Sequence, residues 1–61
     1  MLYDKIKIIA ERQNTPIYKI EDDLDFPRGS ISRWNKIKPN AYKVKAVADR
    51  LGVSTDKLLS D

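Results

Sequence analysis

Sixty-one residues with a net charge of +3, no cysteine and no histidine allow one small domain at most. A chain of this length hides only roughly 60% of its unfolded surface, and neither a disulfide nor a thiolate metal site can reinforce it. The longest apolar runs, such as Ile8-Ile9-Ala10, are far too short to span a bilayer, and no signal-peptide pattern opens the chain. An intracellular, cytoplasmic protein is therefore expected, a single domain over residues 1–61 built on well-packed helices.

Leu2, Ile6, Ile9 and Gln13 fall on one amphipathic line with Ala10 beside it, which predicts a first helix over 2–13. Ile8 lies off the stripe. Asp4 in the first turn and Arg12 in the last both agree with the helix dipole. Asn14 closes this helix. Thr15-Pro16 then reads as the start of the next, a hydroxyl to cap free N–H groups followed by proline at the first helical position. Ile17, Ile20 and Leu24 make the apolar stripe of this second helix, over about 16–24. Glu21, Asp22 and Asp23 crowd its C-terminal end, where the dipole disfavours each by roughly a few tenths of a kcal/mol. Asp25 is the expected turn residue, because Asp tolerates the left-handed conformation better than most.

A third helix is expected over about 28–37. At the helical period Ile31 and Trp34 share one side, while Gly29, Ser32, Arg33 and Lys36 collect on the other with Arg28 on the flank. That outer face holds small residues, hydroxyls and cations, and no carboxylate. Lys38-Pro39-Asn40 breaks the helix, and Asn40 caps the next, over 41–51, whose Val44, Val47, Ala48 and Leu51 follow the i, i+3, i+4, i+7 pattern. Gly52 ends it. Ser54 caps a short fifth helix over about 55–60, with Val53 and Leu58 placed as a hydrophobic staple. The prediction is all-α: five short helices around one core, with no repeat, low-complexity segment or linker.

Net charge alone does not mark a nucleic-acid binder, but its distribution is uneven. Between Arg28 and Arg50 stand seven cations (Arg28, Arg33, Lys36, Lys38, Lys43, Lys45 and Arg50) against Asp49 alone, whereas 21–25 holds Glu21, Asp22, Asp23 and Asp25. Such polarity suits one face to a polyanion and another that avoids it; two ordinary solvated faces would give the same pattern.

The residues resemble a known family, the lambda-repressor-like or Cro/cI-type helix-turn-helix domains. Ile20, Leu24, Phe26, Ile31 and Trp34 stand where such sequences carry apolar residues. Gly29-Ser30-Ile31-Ser32-Arg33-Trp34 is similar to the recognition-helix segment of phage-type repressors from Gram-positive hosts. Ala46-Val47-Ala48-Asp49-Arg50-Leu51-Gly52-Val53-Ser54 through Leu58-Leu59 is similar to the family's closing two helices. Three positions depart from the pattern. Glu21 stands where helices two and three cross and a small residue is usual. Asp25 replaces the usual turn glycine, and Ile17 replaces a glutamine that touches DNA in many relatives. A large carboxylate at 21 must find a partner or reach solvent; it is expected to accept a hydrogen bond from the third helix, from a hydroxyl or from Arg33.

The resemblance implies a compact five-helix fold and a transcriptional regulator, a phage- or prophage-type repressor, that binds double-stranded DNA through the major groove. Carried onto matching positions, it makes Arg28, Gly29, Ser32 and Arg33 the base readers. Arginine suits guanine O6 and N7. Phosphates would be held at the starts of the second and fourth predicted helices, where N–H groups and the dipole favour anions. Thr15, Asn40 and Lys43 come first, Lys36 and Lys38 add charge, and the Tyr18 and Tyr42 hydroxyls are further candidates. The resemblance also implies a homodimer on palindromic half-sites, to which Leu58 and Leu59 could contribute, although core burial is the more direct use for them. No enzyme, cofactor, metal or small-molecule substrate is expected, since the carboxylates lack a His or Cys partner and the segment lacks the spaced ligands and central Gly of an EF-hand. The rival expectation is a protein-interaction module of the same fold, such as an antitoxin-like or regulatory subunit docking at the acidic end.

Overall fold

Ile6, Ile9 and Ala10 of α1 (Leu2–Arg12) are buried, as their spacing predicts, and Ile8 is about half exposed. The structure, a computed structural model, describes residues 1–60. After α1 come α2 (Ile17–Asp23), a single 3₁₀ turn (Ile31–Arg33), α3 (Ala41–Leu51) and α4 (Thr55–Leu59), with no strand among the described residues. α4 packs on both α1 and α3, and α1 also meets the 3₁₀ turn. Ile6, Ile9, Ala10, Ile20, Ile31, Trp34, Val44, Val47, Ala48, Leu51 and Leu58 form one core, with Leu2, Tyr3, Ile17, Leu24, Phe26 and Val53 against its edge. The described residues thus make a compact all-α unit of 25 × 23 × 17 Å.

The helix ends follow local chemistry. Asn14 (φ 55°) and Asp25 (φ 59°), each one residue past a helix cap, and Gly52 (φ 73°), the cap of α3, all adopt the left-handed conformation. Each is followed by an N–H that reaches back five residues: Thr15 to the Ala10 carbonyl (2.9 Å), Phe26 to Glu21 (2.8 Å) and Val53 to Ala48 (3.0 Å). These are Schellman closures, which satisfy carbonyls the helix leaves open. At the other ends Asn40 accepts from the Lys43 N–H (2.9 Å) and Ser54 from the Lys57 N–H (3.1 Å). Both caps stand where the sequence puts them.

Two expectations are corrected. Thr15 does not cap α2: Pro16 occupies the cap position without a side-chain bond, and the Thr15 hydroxyl donates to the Gln13 carbonyl at 3.2 Å. The third predicted helix, 28–37, does not form as an α-helix. Gly29 sits at φ 91°, outside helical space. The bonds that follow run mostly from i to i−3: Ser30 to Pro27, Arg33 to Ser30, Trp34 to Ile31 and Lys36 to Arg33. The hydroxyls of Ser30 and Ser32 donate to the carbonyls of Pro27 and Gly29, competing for acceptors an α-helix would need. Among the described residues the result is four α-helices and a tight coil, not five α-helices.

Candidate nucleic-acid interface

The coil 28–37 still presents the two faces that its spacing predicts. Ile31 is fully buried and Trp34 is 7% exposed, while Ser32, Arg33 and Lys36 are open to solvent. Phe26 lies 6.2 Å from Trp34 between ring centroids at 56°, so the aromatic pair anchors the coil from beneath.

Glu21 is the central polar group. It is 2% exposed, yet both carboxylate oxygens are occupied: Oε1 accepts from the Gly29 N–H and Oε2 from the Ile31 N–H, each at 3.0 Å. The donors are backbone groups of the coil, not a hydroxyl and not Arg33. Hydrogen bonds to a charged acceptor contribute roughly 1.5–3 kcal/mol net, which offsets the desolvation of a buried carboxylate. Gly29 is therefore clasped at both ends, its N–H by Glu21 and its carbonyl by the Ser32 hydroxyl at 2.8 Å. A carbonyl oxygen only accepts, so the Ser32 proton is committed inward and Ser32 offers a lone pair outward.

The remaining carboxylates of α2 are also engaged. Asp22 holds the Arg28 guanidinium through both oxygens (3.2 and 3.0 Å), and that guanidinium lies 5.2 Å from the centre of the Tyr18 ring. Asp23 binds Arg50 of α3 through two nitrogens, at 2.9 and 2.8 Å, and pairs with Lys19 at 3.6 Å. The Arg50 hydrogen bond holds the Asp23 carboxyl below its ordinary value; desolvation opposes this and Lys19 reinforces it. The three carboxylates of α2 are thus internal ties, and this answers their unfavourable place at its end; Asp25 stands exposed at the turn.

Of the seven cations between 28 and 50, Arg28, Lys45 and Arg50 have carboxylate partners. Arg33, Lys36, Lys38 and Lys43 have none among the described residues, so the unpaired charge lies on the coil and the start of α3. The Lys43 ammonium stands 5.9 Å from the centre of the Phe26 ring, which links the start of α3 to the floor of the coil. Tyr42 beside it is 86% exposed, and Lys38 and Asn40 are open as well. Thr15 is half-buried and its hydroxyl donates to the Gln13 carbonyl, while Tyr18 is about half exposed with the Arg28 guanidinium over its ring face. Ser32, Arg33, Lys36, Lys38, Asn40, Tyr42 and Lys43 are open to a ligand. Of the closing pair, Leu58 is buried and Leu59 exposed.

Asn35 was not read as a structural group from the sequence. Its side-chain oxygen accepts from the Tyr3 N–H (2.9 Å) and its amide donates to Asp4 (3.1 Å), so it caps α1 from 32 residues away. An amide three residues before the Lys38-Pro39-Asn40 break was the available signal, and it does not name a distant partner. Comparison with known proteins finds no matching family model, no matching curated protein and no matching solved structure.

Proposed function

We propose that the chain is a Cro/cI-type helix-turn-helix protein that binds double-stranded DNA with sequence specificity and acts as a transcriptional regulator of the repressor type. In this reading α2 and the coil 28–37 are the two arms of the helix-turn-helix, and the coil enters the major groove. The observation that carries it is the exposed face of Ser32, Arg33 and Lys36, free of carboxylates and backed by buried Ile31 and Trp34. Arg33 would donate to a guanine, and Ser32 would accept from a base amino group. Lys36, Lys38 and Lys43 would neutralise phosphates, with Asn40 and Tyr42 at the start of α3 beside them. Gly29 would let the backbone approach.

Arg28 joins the base readers only by leaving Asp22. Both side chains of that pair are more than half exposed, so the pair contributes about 0–1 kcal/mol, less than the roughly 1–3 kcal/mol of a guanine contact. The interaction-module reading needs acidic groups available to a partner. At the acidic end Glu21 and Asp23 are committed within the chain, which leaves such a partner only Asp25 and, once Arg28 turns to a base, Asp22; this favours DNA. A homodimer on palindromic half-sites belongs to the same proposal.

Selection of bound duplexes from a random pool, followed by gel shift at low and high salt, tests the reading. The expected result is an enriched motif with two-fold symmetry that binds more tightly than random duplex. Failure to retain any duplex at low ionic strength overturns it.

A further inference from the structure

We propose that Glu21 is a positioning residue for base recognition: by gripping the backbone N–H groups of Gly29 and Ile31 it sets the pose of Ser32 and Arg33. The inference rests on the DNA-binding reading and names what fixes specificity within that site.

The geometry has three parts. The carboxylate is buried and bidentate, with one oxygen for each of two N–H groups two residues apart. The segment it grips has no regular helix to hold it, only one 3₁₀ turn after a glycine at φ 91°. No side chain within the coil caps that turn; Ser30 at its cap position turns its hydroxyl back to Pro27. The anchor therefore comes from α2, whose own C-terminal closure passes through the Glu21 carbonyl, which accepts from Phe26. One residue ends the first arm with its backbone and begins the second with its side chain. Ser32 and Arg33 follow Ile31 directly, so a shift at the Ile31 N–H is carried to both, and base readout tolerates little displacement.

Glu21→Gln separates this role from general stability. Glutamine keeps the volume but can accept only one of the two bonds and sets its own N–H₂ against the other donor. Gln13→Ala is the control, since it removes a hydrogen bond to the Leu51 carbonyl (2.7 Å) outside the coil. On the selected duplex and a random duplex, Glu21→Gln is expected to lower the specific-to-random affinity ratio about tenfold, the size of one lost base contact. Random binding is expected to stay within about twofold, because the lysines set it. Gln13→Ala, matched for melting temperature, should leave the ratio unchanged. In the free wild-type chain, amide exchange at Gly29 and Ile31 should be slow, and in Glu21→Gln it should rise relative to Val47.

A folded Glu21→Gln with an unaltered ratio overturns the inference alone, as does equal loss on both duplexes. Fast exchange at Gly29 and Ile31 in the wild type overturns it without any variant, so a failure of Glu21→Gln to fold does not shield it. A wild type that binds the two duplexes equally, or neither, overturns the DNA-binding reading and this inference together, a result distinct from the others.

Discussion

Arg33 and Lys43 are both exposed cations without carboxylate partners among the described residues, and their surroundings assign them different work. Arg33 follows Ser32 on the outward side of the coil, whereas Lys43 stands at the start of a helix with its ammonium over Phe26. Arg33→Ala is expected to reduce discrimination among duplexes by about 1–3 kcal/mol, with a smaller loss on random DNA. Lys43→Ala should weaken every duplex to a similar degree. Competition gel shifts with matched and scrambled sites read both, and equal behaviour of the two variants would refute the division. Gly29 gives a prediction about stability. A Cβ there would meet nothing within 4 Å, so the cost of Gly29→Ala is backbone conformation alone at φ 91°. About 1–2 kcal/mol is expected. For a domain of this size each kcal/mol lowers the melting temperature by roughly 4–8 °C, which a thermal melt resolves; an unchanged melt would contradict the conformation.

At the scale of elements the short helices are tied to one another by polar side chains as well as by the core. Asp23 joins α2 to Arg50 of α3, and its carboxyl is held below the ordinary 3.8 by that bond. A depressed carboxyl contributes stability that is present above its unfolded value and lost as pH falls through the folded one. Acidification below about pH 4 should therefore narrow the gap between wild type and Asp23→Asn in urea melts. A gap that is constant from pH 7 to pH 2.5 would refute the tie. Asn35→Ala should release the first turn of α1, at a cost of about 0.5–2 kcal/mol for a lost cap. Faster amide exchange at Tyr3, with Val47 unmoved, is the signature.

What the sequence made legible were the features decided by neighbours in the chain. Asn40, Ser54, Asn14, Asp25 and Gly52 each act on groups within a few residues, and each stands where residue chemistry places it. The apolar stripes through Ile6 and Ile9, through Ile31 and Trp34, and through Val44 and Val47 were legible for the same reason. The coil 28–37 was over-read as a helix because spacing reports a period and not the φ of Gly29 or the appetite of two serines for carbonyls. Thr15 was over-read because Pro16 took the cap position. Glu21 was legible as an acceptor facing the segment 28–37, but its donors are backbone N–H groups, not a hydroxyl or Arg33; Asn35 was beyond reach, since an acceptor's worth depends on which donor the fold brings to it.

At the scale of the whole molecule, the four cations between 28 and 50 that lack a carboxylate partner among the described residues, Arg33, Lys36, Lys38 and Lys43, lie on a body only 25 Å in its longest dimension. If each subunit neutralises about four phosphates, a dimer on its site should give a log–log salt slope near −7 and a monomer about half that. Titrations across a range of salt distinguish the two. A slope near zero would mean that these cations do not meet phosphate.

The distant caps have a consequence for how the chain comes into being. Tyr3 waits for Asn35, the Ile31 and Gly29 amides depend on Glu21, and the Leu51 carbonyl depends on Gln13, 38 residues earlier. A nascent polypeptide leaving the ribosome would hold α1 half-finished until Asn35 had been made. Peptides cut from either half should be coil in water, and only the joined chain should acquire order, all of it in one step.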